Sequence, residues 1–174
     1  WGCRFCAAGF MYRPIRYRSP EKILAEANRG LSERGVIGLV GAEMASVPGV
    51  AEIAESVVSA GGRLSPSSLK ADCISPRLAQ ALARGGARSV TVAPEAGSER
   101  MRKVINKMVT EEDLIRTVTT AYSSGWRQVK LYFMCGLPTE TDEDVLAIAG
   151  LARRVIEAGR EASGRRDIRC TVSI

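Results

Sequence analysis

Apolar positions along the chain switch between a helical and an extended period. Ser19-Pro20-Glu21 supplies a hydroxyl cap, a proline at the first helical position and a first-turn carboxylate, and Ile23, Leu24, Ala27 and Leu31 follow at helical spacing up to Gly35. Residues 36–40 are a short apolar run that reads as a buried strand. The loop 41–49 leads to a second helix bearing Val50, Ile53, Val57 and Val58, which Gly61-Gly62 ends. Arg63-Leu64-Ser65 reads as a further strand, followed by the polar loop 66–70. Ser75-Pro76 repeats the cap-plus-proline start, with Leu78 and Leu82 facing inward and Gly85-Gly86 as the stop. Residues 89–93 are a β-branched strand with 94–97 as its exit loop. A short helix starts at Ser98-Glu99, and another at Thr110 with Leu114, Ile115, Val118 and Tyr122 on its apolar face. Residues 128–134 form a strand with the exit loop 135–140. A long helix then carries Val145, Ile148, Leu151, Val155 and Ile156, and residues 168–174 make a last strand.

Strand, loop and helix thus repeat, which predicts right-handed crossovers and a parallel α/β sheet, closed as a barrel or doubly wound. No internal repeat or linker interrupts the pattern, so residues 1–174 read as one domain.

Composition changes this picture little. The chain is 45% hydrophobic and 25% charged, ordinary for a globular protein. It has no apolar run of about eighteen residues, so no membrane contact is expected. Its first residue is Trp1 and not Met, and we read it as a piece truncated at the N-terminus. Five cysteines without framework spacing argue for a reducing cytoplasm over a secreted disulfide scaffold. The net charge of +6 gathers at Arg13, Arg16 and Arg18 and at Arg165, Arg166 and Arg169. Aromatics for stacking are few, so solvated faces explain these clusters better than nucleic acid does.

Chemistry in parallel α/β folds gathers at the carboxyl ends of the strands. The loops expected there offer Gly41-Ala42-Glu43, Ser65 to Ser68, Glu95-Ala96-Gly97-Ser98 and Gly136-Leu137-Pro138. Glycine lets a ligand approach the backbone, whose exposed polar groups can hold a zwitterion, while hydroxyls and carboxylates suit a ribose. The cysteine pair Cys3-Arg4-Phe5-Cys6 precedes the first of these units. The chain has no histidine, which excludes a Cys2His2 zinc site and a Cys/His nucleophilic pair and leaves iron–sulfur ligation, half of a zinc knuckle or a plain pair of reduced, half-buried thiols.

Cys3-Arg4-Phe5-Cys6 resembles the last two cysteines of the C-x3-C-x2-C motif of the radical S-adenosylmethionine enzymes, including the aromatic before the final cysteine. Gly41-Ala42-Glu43 resembles the superfamily's glycine-glycine-glutamate segment, with Ala42 in place of the second glycine. Glu95-Ala96-Gly97-Ser98 is similar to a fourth-strand segment of the methylthiotransferase and coproporphyrinogen-dehydrogenase-like branches. Gly136-Leu137-Pro138-Thr139-Glu140-Thr141 is similar to a fifth-strand segment of the cobalamin-associated branch. Residues 6–21 also resemble an uncharacterised radical enzyme family with a cobalamin-binding-like domain upstream, which would precede residue 1.

The resemblance implies a partial (β/α)6 TIM-like barrel of parallel strands, missing its first strand in this chain. It implies a 4Fe-4S cluster on Cys3 and Cys6 and reductive cleavage of S-adenosyl-L-methionine to a 5'-deoxyadenosyl radical. The substrate would be a small molecule or RNA, the reaction methylthio transfer, methyl transfer or another modification, and the reductant one such as flavodoxin or ferredoxin. Phe5 would pack near the adenine, and the backbone of Gly41, Ala42 and Glu43 would bind the methionyl amino group. Ser67 and Glu95 would contact ribose or carboxylate, and Gly136 and Leu137 the adenine. The motif's first cysteine would lie two positions before Trp1, so the chain alone is expected to be inactive. Of the other cysteines, Cys135 reads as the one at a strand's exit, with buried packing as its expected role. The alternative is a non-enzymatic α/β module that binds zinc or RNA, which leaves the rim motifs unexplained.

Overall fold

Hydroxyl caps fix where the helices of this chain begin. In the computed structural model, which describes residues 2–174, Ser19 Oγ accepts from Lys22 N–H at 3.3 Å and Pro20 opens α2 (Pro20–Glu33). Ser75 does the same for α4 (Pro76–Arg84), accepting from Leu78 N–H at 3.2 Å. Thr110 with Asp113 and Thr141 with Asp144 form reciprocal capping boxes at the starts of α6 (Glu111–Ser123) and α7 (Asp142–Ser163). The remaining helices are α1 (Ala7–Met11), α3 (Val50–Ser59) and α5 (Glu99–Val104). The strands are β1 (Val36–Leu39), β2 (Arg63–Pro66), β3 (Ser89–Glu95), β4 (Gln128–Phe133) and β5 (Arg169–Ser173).

Every strand pairing is parallel and follows chain order, β1 with β2 and then β3 with β4 with β5. Between β2 and β3 the ladder is interrupted, and one bond, Leu69 N–H to Thr91 O at 3.1 Å, crosses near the carboxyl ends. One face of the sheets is covered by helices. Leu64, Val90, Val92, Val129, Leu131 and Phe133 are buried there against Ala54 and Val57 of α3, Leu114 and Val118 of α6 and Leu151 and Val155 of α7. The other face is polar. Ser89 and Gln128 and Arg169 stand in one row, Thr91 and Lys130 and Thr171 in the next. This is the strand order and one-sided helix cover of part of a (β/α) barrel, and it matches the expected fold class.

Three details depart from the sequence reading. Residues 36–40 are not a buried strand, since Val36 is 49% exposed and Val40 86% exposed. Only one face of β1 has helix cover, and among the described residues β2 is its sole neighbour. The strand β3 runs on to Glu95 through an irregularity after Val92, where a loop is expected. Helix α1, too short to show a period, was not anticipated.

Candidate active site

The cysteine turn is fastened to the barrel rim from two sides. Cys6 N–H donates to Cys3 O at 3.1 Å and Gly9 N–H to Cys6 O at 3.0 Å, so both thiols sit on one tight turn that leads into α1. Cys3 is buried and Cys6 half-buried. Arg4 N–H donates to Ile105 O at 2.9 Å, its guanidinium reaches Val104 O, and Asn106 Nδ2 donates to Gly2 O at 2.8 Å. The turn is thereby bound to the end of α5, which follows β3. Phe5 stays 43% exposed beside the thiols, an aromatic face free to meet a ligand.

Lys107, next in the chain, pairs with Glu95 at 3.2 Å, and both side chains are mostly shielded. Glu95 has φ +70°, a left-handed backbone that costs a non-glycine residue about 1–2 kcal/mol. Its exit loop is held from below by Arg102. That guanidinium is fully buried and donates to Ala96 O at 3.1 Å, Gly97 O at 3.0 Å and Val109 O at 2.8 Å. Burial pulls its pKa down, toward the neutral form. Residues 2–6 and Glu95 thus come together through the segment 104–107.

The loop after β1 is the open part of the rim. Gly41 and Ala42 are exposed, and the main-chain N–H and C=O groups of residues 41–43 make no hydrogen bond among the described residues. Such groups can receive the ammonium of an amino acid. The Glu43 carboxylate turns back on its own loop, accepting from Ala45 N–H at 3.1 Å. Burial pushes its pKa up, more than the Lys70 charge pulls it down.

Ser67, on the exit of β2, donates its N–H to Leu39 O at 3.0 Å, while its hydroxyl is buried with no hydrogen-bond partner among the described residues. An orphaned hydroxyl of this kind is a vacancy for a polar ligand atom. Gly136 and Leu137 are placed differently. Their N–H groups donate to Glu140 Oε2 at 2.6 and 3.3 Å, and Leu137 O accepts from Glu140 N–H at 3.0 Å, so this loop satisfies itself. The Leu137 side chain packs on Ala96, Met101 and Ile105 and offers an apolar surface.

The cysteines outside the turn also need correcting. Cys135 is exposed, not buried, because it lies past the helix-covered part of β4. Cys73 shares the rim position expected for Cys135 alone: the long loop after β2 folds back so that its thiol lies 3.2 Å from Ser46 Oγ, on the exit of β1. Burial raises the Cys73 pKa and keeps it a neutral thiol. Sequence reasoning missed Arg102, Asn106 and Lys107, which look like ordinary surface positions near a helix end. It also missed that Asp144 gathers Ser98, Arg100 and Thr141 into one network.

The donor set suits iron and sulfide. Two thiols on one turn, in a chain without histidine, can serve neighbouring irons of a cluster. Among the described residues no three Cys, Asp or Glu side chains converge.

Comparison with known proteins bears on this arrangement. The model of the radical SAM superfamily matches residues 1–152. An uncharacterised protein of Methanocaldococcus jannaschii is 36% identical over 155 residues, covering 88% of this chain and 34% of its own length. Among solved structures, the cobalamin-dependent S-adenosylmethionine radical enzyme OxsB, with aqua-cobalamin and S-adenosylmethionine bound, superposes with a TM-score of 0.68 at 14% identity. That match covers 99% of this chain and 26% of OxsB. Coproporphyrinogen III oxidase of Escherichia coli, a radical SAM enzyme, gives a TM-score of 0.57 at 13% identity, over 89% of this chain and 37% of its own. The chain therefore spans about a third or less of the proteins it matches.

Proposed function

The chain belongs to the radical SAM superfamily, and from that premise we propose that it is the core of an enzyme that cleaves S-adenosyl-L-methionine on a 4Fe-4S cluster. When bound, the cluster would supply the electron that releases a 5'-deoxyadenosyl radical from S-adenosyl-L-methionine. Cys3 and Cys6 would hold two of its irons, and Arg4 and Asn106 fix their turn against α5. The unpaired carbonyls of residues 41–43 would receive the methionyl ammonium, and Ser67 Oγ a ribose or carboxylate oxygen. The exposed face of Phe5 and the apolar side chain of Leu137 would flank the adenine, and Glu95, held by Lys107, a ribose hydroxyl. The enzyme would draw its electron from a protein such as flavodoxin or ferredoxin in the cytoplasm. A corrinoid on an upstream domain would link it to methyl transfer.

The observation that carries this reading is the cysteine turn locked to the exit of β3 by the bonds from Arg4 and Asn106. The test is anaerobic reconstitution with iron and sulfide of a chain extended upstream to the cysteine that the motif places two positions before Trp1. The wild type should gain the broad visible absorption of a cluster with iron and sulfide in equal amounts, and Cys3→Ala and Cys6→Ala should not. Iron retention in both variants, or a tetrahedral zinc site in the wild type, would contradict it.

A further inference from the structure

The inner face of β3, β4 and β5 gathers hydrogen-bond donors around an unpaired cation. Thr91, Lys130 and Thr171 stand in register on the three strands, so a threonine flanks the lysine on either side at a strand spacing of about 4.8 Å. Among the described residues the half-buried lysines are Lys70, Lys107 and Lys130. Lys70 meets Asp72 at 3.1 Å, and Lys107 meets Glu95 at 3.2 Å. The Lys130 ammonium makes no hydrogen bond or ion pair among the described residues. Its strands explain why. Side chains alternate along a strand, and ahead of Glu95 the residues of β3, β4 and β5 that share this face include no Asp or Glu. The hydroxyls beside the lysine are left to donate. Gln128 Nε2 donates to Thr171 Oγ1 at 3.0 Å, which leaves the Thr171 proton without an acceptor, and the Thr91 hydroxyl has no partner among the described residues. One row nearer the strand exits on the same face, Tyr132 is 44% exposed.

We infer that Lys130, with the Thr91 and Thr171 hydroxyls, seats an oxyanion of the substrate, a carboxylate or a phosphate, on the inner wall of the barrel. The three donors belong to one continuous ladder of adjacent strands, and a bond from an ammonium to an ionised oxygen is about twice as strong as a neutral one. A neutral substrate would leave the ammonium half-shielded from water with no charge to offset that loss. The row lies about 10 Å below the end of β4, three residues before Phe133. An anion held there leaves the body of the substrate to run past the ring of Tyr132 toward the rim. Lys130 thus selects the substrate and fixes the depth at which it sits. That the anion belongs to the substrate rests on the proposed radical chemistry. That an anion binds at this row does not.

The test therefore needs neither cluster nor turnover. Backbone amide resonances of this chain would be followed by NMR during titration with inorganic phosphate and, separately, with succinate, in a buffer free of both. Saturable shifts centred on Thr91, Lys130 and Thr171 are expected with at least one anion, and the tighter of the two names the group. Lys130→Met should weaken that binding tenfold or more, and Lys130→Arg, which keeps the charge, by less. Thr91→Val removes one hydroxyl at nearly constant shape and should weaken it measurably, a second reading that leaves the lysine in place. Arg169→Gln, on the same face one row nearer the amino ends, should leave it nearly unchanged, which separates a seated anion from a merely positive surface. The amide dispersion of each variant reports its folding in the same spectra. Shifts that never saturate with either anion, that survive both Lys130→Met and Thr91→Val, or that Arg169→Gln weakens as much as Lys130→Met does would overturn the assignment.

Discussion

Glu43 and Arg102 are charged side chains drawn into the rim, and burial moves each toward its neutral form. Glu43 therefore holds its proton more tightly folded than unfolded. Its contribution to stability is greatest below the ordinary carboxylate range and declines as pH rises through that range toward the raised value. Glu43→Gln, which keeps an oxygen for Ala45 N–H, should remove this slope and melt higher than wild type near neutral pH. A scan of melting temperature against pH checks it, and identical profiles would contradict it. Arg102 is a buried cation that donates to three carbonyls. Arg102→Met should cost about 3 kcal/mol in urea unfolding, the upper end for buried polar groups left unpartnered. A loss below about 0.5 kcal/mol, usual for a surface substitution, would show that the loop needs no such support.

At the scale of elements, the exits of β3 and β4 are joined by α7. Gly97 approaches that helix so closely that a Cβ would lie 2.4 Å from Ile148 N and 2.7 Å from the Ala147 carbonyl carbon, both backbone atoms. Gly97→Ala should destabilise by about 1–3 kcal/mol, as overpacking does, and displace the Glu95 loop. Asp144, nearly buried, ties the same junction, and its hydrogen bonds from Arg100 and Ser98 hold its pKa well below the usual carboxylate range. Its stabilisation is present above the unfolded Asp value of about 3.9 and is lost as pH falls through the folded value. Asp144→Asn should therefore lower stability at neutral pH and flatten the acid limb, read by chemical unfolding at stepped pH. Elements of this kind were legible from sequence: the caps Ser19, Ser75 and Thr110 sit where their residue types put them. So were the rim loops, because glycine and carboxylate punctuate the ends of apolar runs. What could not be read was contact between distant segments. Nothing local says that Arg102 points inward, that Asn106 reaches Gly2, or that the loop carrying Cys73 folds over the exit of β1.

For the whole molecule, the interrupted sheet divides stability unevenly. The β1–β2 pair is a two-strand unit with an open edge, whereas β4 is paired on both sides. Hydrogen exchange should find the amides of β1 and β2 opening faster than those of β4, and equal protection would contradict a break between β2 and β3. The central claim, that these rim residues serve cleavage of S-adenosyl-L-methionine, is tested most directly by one assay. The upstream-extended chain, reconstituted and reduced without oxygen, would be incubated with S-adenosyl-L-methionine and its products resolved by mass. Release of 5'-deoxyadenosine by the wild type, abolished in Cys3→Ala and Cys6→Ala, is the predicted result. A fully loaded cluster that releases none, or release that persists without both thiols, would contradict the account.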